Sequence, residues 1–299
     1  MKMNKCGYVA VIGRPNVGKS TLINRIVGEK VSIVTAKPQT TRHQILAIHS
    51  SKQGQILFID TPGLHKGHKK ALNKYMNKAA ASAVLDVDLI LFMVESLKWT
   101  QDDEEALKAL AFTKTPVILV INKSDLVSNK EKLLPYAQKL FQMYDFKEIY
   151  YTSASKGKGT GDLEDKIFHY LPESENYFNK DQLTDKSTKY LVSELIREQL
   201  MLRLHQEIPY SLTVEVESYH DKGDIVHIHA LIWVEREIQK NMIIGKSGET
   251  LKTIGSLARR EIESLVGKKV HLKLWARVKS AWANSDRLLQ QLGYKDDGF

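Results

Sequence analysis

The 299-residue chain is short of cysteine, of long apolar runs and of acid. Its single cysteine, Cys6, excludes an internal disulfide and any cysteine cluster for zinc, so an inert packed thiol is expected there. No stretch approaches the ~18 apolar residues that a membrane helix needs. Leu89–Val94 therefore reads as a core strand. The N-terminus lacks the basic-then-apolar form of a signal peptide, which points to a cytoplasmic protein. Acidic residues are outnumbered: 44 Lys+Arg face 35 Asp+Glu, a formal charge of +9. That excess suits a polyanionic partner, with plain solubility as the alternative. The apolar content of 42% supports ordinary cores, and the length allows two domains.

What is present is a series of four motifs in order. Gly13-Arg14-Pro15-Asn16-Val17-Gly18-Lys19-Ser20 lies between an apolar, β-branched run, Tyr8–Ile12, and a helix-like segment beginning at Thr21. Strand, glycine loop and helix form the context of a phosphate-binding loop. Backbone N–H groups and the helix N-terminus would face the anion. Lys19 would reach the β- and γ-phosphates, and the Ser20 hydroxyl would bind Mg²⁺. Asp60-Thr61-Pro62-Gly63 ends a second strand. There Asp60 can hold Mg²⁺ through a water and Gly63 can sense a γ-phosphate. Asn122-Lys123-Ser124-Asp125 ends a third, where open α/β sheets bind ligands. The Asp125 carboxylate is acceptor-only and matches the two donors of guanine, N1–H and the exocyclic amine; adenine would be repelled. The Lys123 stem can lie along the base, and Asn122 can tie this loop to the phosphate loop. In Ser153-Ala154-Ser155 the Ala154 N–H could meet the guanine O6.

Strands and helices alternate to about residue 172, which predicts a doubly wound, mainly parallel sheet over 1–172. Helices are expected near Leu72–Leu85, Asp103–Phe112, Lys130–Met143 and Asp162–Tyr170. Pro172 and the polar stretch after it mark a linker over 173–183. Over 184–299 the rhythm changes. Thr188–Leu204 reads as a helix, Leu212–Ser218 and Ile225–Val234 as strands, Val270–Val278 as a third strand, and Ala281–Leu292 as a last helix. Between them stands Gly245-Lys246-Ser247-Gly248, with apolar Ile243-Ile244 before it and helical periodicity after it. Basic residues crowd behind this loop, including Lys252, Arg259, Lys268, Lys269, Lys273 and Arg277, with Trp275 and Trp282 among them. Basic residues with interleaved aromatics suit single-stranded RNA. The alternative is that both tryptophans pack the core. His227 and His229 read as a solvated strand face rather than a metal site.

The order α-β-β-α-α-β around this glycine loop resembles a type II KH module, an α+β RNA-binding domain whose loop clamps about four nucleotides. The first half resembles a translation-factor-class P-loop GTPase. The wording of the phosphate loop, with Gln39-Thr40-Thr41-Arg42, resembles the Era family of bacterial GTPases across the whole chain. The resemblance implies GTP/GDP and Mg²⁺ as ligands, 16S ribosomal RNA near its 3′ end and the 30S subunit as partners, and a role in small-subunit assembly. A monomer is expected, with peripheral association at the inner face of the cell membrane left open. Position 64 is Leu64, where a Ras-type template has a glutamine that orients water, so intrinsic hydrolysis should be slow. Asn16 either braces its loop or, as in related GTPases, helps hold K⁺. Ser32–Arg42 and Thr61–Lys70 read as mobile switches. Within the first, Thr41 or Thr40 would bind Mg²⁺, with Thr41 favoured. Arg42 reads as a surface charge, and His65 and His68 as solvated. A constitutive RNA scaffold, and a GTPase of tRNA modification or transport, are the competing functions.

Overall fold

The computed structural model describes residues 4–63, 71–83, 86–204, 208–292 and 294. It divides into two compact units, one of the bulk of the residues up to Asp185 and one from Lys186 onward.

In the first unit the strands are β1 (Lys5–Ile12), β2 (Ile45–Ser50), β3 (Gly54–Asp60), β4 (Leu89–Glu95), β5 (Val117–Asn122) and β6 (Glu148–Tyr151). The helices are α1 (Lys19–Val27), α2 (Ala71–Ser82), α3 (Gln101–Lys108), α4 (Leu133–Phe141) and α5 (Thr160–Tyr170). Among the described residues the sheet runs β2-β3-β1-β4-β5-β6. All its pairings are parallel except β2 with β3. Alternate residues of each strand enter two cores. Ala10, Ile12, Phe92 and Leu119 pack with Ala106, Ala137 and Leu140 on one face. Val9, Val11, Leu91 and Val120 pack with Leu22, Ile23, Leu163 and Ile167 on the other. Burial on both faces explains why these strands are continuous apolar runs without alternation. The carboxyl ends of β1, β3, β4 and β5 therefore meet at one edge, where the order reverses about β1.

Residues 173–183 differ from the expected linker. Ser174 N–H donates to Asn4 O, Phe178 N–H to Gln55 Oε1, and Ile48 N–H to Leu183 O. The segment is strapped to the first unit because β2 and β1 leave backbone groups there that need partners.

The second unit has α6 (Thr188–Arg203), β7 (Leu212–Asp221), β8 (Ile225–Val234), α7 (Glu237–Ile244), α8 (Glu249–Val266), β9 (Lys269–Val278) and α9 (Asp286–Gln291). The sheet runs β7-β8-β9, antiparallel then parallel. Helices α6 and α8 cover one face through Val192, Ile196, Ile254, Ala258 and Ile262. The expected order is observed. The last helix is shorter than Ala281–Leu292: a 3₁₀ turn at Trp282–Asn284 precedes it, and the Ser285 hydroxyl caps it by accepting from Leu288 N–H. Residues 130–143 likewise split into a 3₁₀ turn, Lys130–Lys132, and α4, whose Pro135 sits in the first turn where its missing N–H costs nothing.

Candidate nucleotide site and nucleic-acid groove

The phosphate loop forms because residues 13–18 must turn tightly between a buried strand and α1. At Gly18 φ is +109°, and a Cβ there would lie 2.3 Å from Asn122 Nδ2. Only glycine meets both demands. Lys19 is buried, and its Nζ donates to Gly13 O (2.9 Å) and Arg14 O (3.0 Å). Burial pushes its pKa down to about 8, against the pull of Asp60. A cavity of about 270 Å³ opens over Gly18, Lys19, Ser20, Thr21, Thr35 and Lys123.

Beside Lys19 three oxygens converge. Ser20 Oγ donates to Asp60 Oδ2 at 2.7 Å and lies 3.0 Å from Thr41 Oγ1. Asp60 is fully buried, and its other carboxyl oxygen, Oδ1, has no hydrogen-bond partner. Burial pushes the Asp60 carboxyl above its ordinary range, although Ser20 and Lys19 oppose the shift. A buried carboxylate with an unused oxygen, flanked by two hydroxyls, fits a hard divalent cation with oxygen ligands. Thr40, the alternative ligand, bonds instead to Thr35 Oγ1 (2.6 Å) and Lys37 O (2.6 Å). The segment from Ser32 is anchored by Asn24, whose side chain accepts from Val31 and Ser32 N–H and donates to Ser32 O. Asn16 Nδ2 donates to Ala36 O at 2.7 Å, so Asn16 holds this segment over the phosphate loop. Arg42 is 1% exposed, which overturns the expectation of a surface charge. At Gly63 a Cβ would come within 2.6 Å of Pro15 N, so the Asp60–Gly63 motif lies against the phosphate loop. Leu64, His65 and His68, with the rest of the second switch through Lys70, lie outside the described residues.

The base end is organised by Asn122, 2% exposed. Its Nδ2 donates to Val17 O at 2.8 Å, and its Oδ1 accepts from Thr152 Oγ1 (3.1 Å) and Ala154 N–H (3.0 Å). It thus ties its own loop to the phosphate loop and, in addition, to Thr152 and Ala154. The Ala154 N–H is engaged by Asn122 and is not held open for a base oxygen, a departure from the sequence expectation. A buried amide carbonyl takes the nearest donors it can. Lys123 adopts φ +60° and turns the chain so that Asp125 is exposed. The Asp125 carboxyl sits below its ordinary range, with Ser153 beside it and the Lys156 and Lys158 charges nearby, and is an ionised acceptor at neutral pH.

Sequence reasoning missed Glu95 and Asp103. The Arg14 side chain turns away from the cavity to Glu95 Oε2 (2.7 Å) and Asp103 Oδ2 (3.0 Å), so any phosphate contact of Arg14 must be through its backbone. Lys123 Nζ also reaches Glu95 Oε2, at 3.1 Å. Burial alone would raise the Glu95 carboxyl, but Arg14 and Lys123 hold it below the usual range. The available signal was position: Glu95 ends β4 and pairs in register with Asn122.

In the second unit α7 ends in a loop with left-handed backbone at Gly245 (+72°), Ser247 (+51°) and Gly248 (+82°). No atom lies within 4 Å of a Cβ at Gly248, so an incoming backbone could approach there. A groove of about 370 Å³ runs from Gly248 between Lys252, Gly255 and Arg259 on α8 and Leu272 and Leu274 on β9. Lys246 and Ser247 form the turn at its mouth. Lys268 is paired with Asp221 at 2.6 Å, and Lys269 and Arg277 lie exposed on β9 away from this groove. The odd residues of β9, Lys269 and Arg277 among them, face away from the helices. The tryptophans divide: Trp282 is buried and donates to Ser211 O, whereas Trp275 is 42% exposed.

Two family models match, one described as a 50S ribosome-binding GTPase over residues 8–123 and one as a KH domain over residues 207–283. GTPase Era of Pseudomonas aeruginosa strain LESB58 is 47% identical over 98% of this chain and 96% of its own. GTPase Era of Marinobacter nauticus is 48% identical over the same shares. The chain belongs to the Era family of GTPases. Two solved Era structures superpose over 97% of this chain and 99% of theirs at 36% identity. One is a variant of Aquifex aeolicus Era bound to GDP·AlF4⁻, with TM-score 0.92. The other is Era with MgGDPNP and nucleotides 1506–1542 of 16S ribosomal RNA, with TM-score 0.94. The Era-family assignment agrees with a first unit built as a P-loop GTPase and a second built as a type II KH domain.

Proposed function

We propose that this Era-family GTPase binds GTP with Mg²⁺ at the edge described, hydrolyses it slowly, and holds the 3′ end of 16S ribosomal RNA in its KH groove during 30S assembly. The observation that carries the nucleotide reading is the convergence of Lys19 with the Ser20 and Thr41 hydroxyls and the Asp60 carboxyl, whose second oxygen is buried and unused. The backbone of Gly13, Arg14, Pro15, Asn16, Val17, Gly18, Lys19, Ser20 and Thr21 would cradle the phosphates, with Asp60, Thr61, Pro62 and Gly63 closing the γ side. Ser20, Thr41 and Asp60 would hold Mg²⁺, which spreads the charge that develops on the transferred phosphoryl group. Asp125 would read the guanine edge, Lys123 would cover its face, and Asn122, Ser153 and Ala154 would fix that loop. Asn16 would supply a ligand to K⁺.

On the RNA side Gly245, Lys246, Ser247 and Gly248 would clamp the backbone and Lys252 would neutralise a phosphate in the groove. The protein would act as a cytoplasmic monomer. Its excess positive charge also suits peripheral contact with the anionic inner face of the membrane. Among the described residues no helix is long and apolar enough to cross one.

The test is a pair of measurements on the full chain: Mg²⁺-dependent GTP turnover, and binding to an RNA of the 16S 3′ end. Gly248→Asp should weaken the RNA and leave nucleotide affinity unchanged. Absence of turnover, or RNA binding indifferent to Gly248→Asp, would contradict the proposal.

A further inference from the structure

Glu95 stands behind the nucleotide cavity: Lys123 lines that cavity and Glu95 does not. Its backbone is held in place. It pairs in register with Asn122, and its carbonyl accepts from Tyr136 Oη on α4 (3.1 Å) and from Lys98 N–H (3.2 Å). The next residue, Ser96, donates both its N–H (2.9 Å) and its hydroxyl (2.8 Å) to Asn122 O. From this mount the Glu95 carboxylate faces two cations. Its Oε2 accepts from Arg14 Nη2 at 2.7 Å and from Lys123 Nζ at 3.1 Å. Arg14 is itself fixed, because its Nε donates to Asp103 Oδ2 at 3.0 Å and its Nη1 to Pro15 O at 3.3 Å. Asp103 is fully buried and also accepts from Thr100 N–H (2.9 Å) and Thr100 Oγ1 (2.7 Å), so the first turn of α3 anchors it. Burial opposes charge on Glu95, yet Arg14 and Lys123 hold its carboxyl below the usual range, and it is ionised at neutral pH. The Glu95 side chain is 19% exposed and that of Lys123 31%, so their pairing is partly shielded from solvent.

We propose that Glu95 is a positioning residue for the nucleotide base: it holds the Lys123 ammonium so that the Lys123 stem already lies extended where the face of guanine arrives. A free lysine side chain loses rotamer entropy when a base settles on it, and a side chain ordered beforehand does not. Glu95 acts through Lys123, while Arg14 and Asp103 fix where its charge sits. The inference rests on the reading of this cavity as a guanine-nucleotide site and deepens it. Two tasks separate at the base: Asp125 reads its edge, and Lys123 with Glu95 holds its face, which guanine and hypoxanthine present alike.

The experiment uses the full chain and competition against a fluorescent GDP. The competitors are GDP, inosine diphosphate (which lacks the exocyclic amine), ADP and pyrophosphate. The proteins are wild type, Glu95→Gln, Glu95→Asp, Lys123→Met and the double variant Glu95→Gln with Lys123→Met. Releasing the Lys123 side chain in Glu95→Gln should weaken GDP and inosine diphosphate by the same factor, about 2–12-fold. Their ratio, set by Asp125, should stay as in wild type. Pyrophosphate should bind as in wild type or more tightly, since loss of the Glu95 charge leaves the site more positive. Glu95→Asp keeps the charge but draws it back by one methylene, and should lose less than Glu95→Gln. In the Lys123→Met background, Glu95→Gln should cost nothing further. An equal cost with and without Lys123 would overturn the proposal. So would weaker pyrophosphate or a changed ratio of GDP to inosine diphosphate, which mark a disordered phosphate loop or base loop instead. If wild type binds ADP as tightly as GDP, the guanine reading itself fails and this inference falls with it. A wild-type preference for GDP that stands while Glu95→Gln changes nothing removes the role of Glu95 alone.

Discussion

Lys19 offers a direct test of whether the cavity is built for an anion. Burial lowers its pKa from 10.5 to about 8, although its ammonium donates to the Gly13 and Arg14 carbonyls. At about 1.36 kcal/mol per pKa unit, keeping Lys19 charged costs the free protein about 3 kcal/mol at neutral pH. The unfolded chain binds more protons than the folded one between the two values. The cost is therefore present in full below about pH 8 and fades as pH rises toward 10.5. Phosphate in the cavity should restore the charged form and raise the pKa well above 8. Binding GDP at about pH 8.5 should then take up about three quarters of a proton, because about that fraction of free protein has an uncharged Lys19. The uptake is read by titration calorimetry in two buffers of different ionisation enthalpy. Lys19→Arg provides the control: a guanidinium does not titrate in this range, so uptake should vanish while the positive charge remains. No uptake in wild type, or equal uptake in Lys19→Arg, would refute the argument.

Asp125→Asn places a donor where guanine also donates; GTP affinity should drop by about 10⁴ if the full discrimination is lost, while xanthosine nucleotides gain. Nucleotide competition assays would check it, and unchanged GTP binding would remove Asp125 from the base site. Asn122→Ala strands Val17 O, Thr152 Oγ1 and Ala154 N–H, three buried groups now satisfied by one side chain. It should lower stability of the first unit by about 1–3 kcal/mol in denaturant unfolding, and a change near zero would contradict the clamp. GTP turnover should be faster in K⁺ than in Na⁺ at equal ionic strength, and Asn16→Ala should abolish the difference; equal rates in both salts would leave Asn16 as a brace for Ala36 alone.

How much could be read from sequence depended on whether a signal was local. The strands ending at Ile12, Asp60, Glu95 and Asn122 were legible because burial on both faces writes them as uninterrupted apolar runs. Strand Ile45–Ser50 was missed: half of its residues are Ala, His and Ser, and its pairing with β3 is antiparallel. Lys19, Ser20, Asp60 and Asn122 were found by motif and are together in space. Thr41 and Thr40 look alike in sequence, and only the fold sets them apart, with Thr40 Oγ1 beside Thr35 Oγ1 and Thr41 Oγ1 beside Ser20 Oγ. Glu95 and Asp103 carry no motif, and their partner Arg14 lies 81 and 89 residues away, so only the fold brings them together. The same holds for His227 and His271. Two histidines 44 positions apart in sequence become stacked neighbours only once β8 and β9 are paired in register.

We propose that this chain joins a nucleotide switch to an RNA clamp so that each ligand alters the affinity of the other. The direct measurement is titration of a 16S 3′-end RNA onto the full chain loaded with GDP and, separately, with a non-hydrolysable GTP analogue in Mg²⁺, followed by the reciprocal nucleotide titrations with and without RNA. RNA should bind more tightly in the triphosphate state, by about 5–150-fold, with the preference for the analogue over GDP rising by the same factor when RNA is bound. Identical RNA affinities in the two nucleotide states would contradict it and leave two independent binders on one chain.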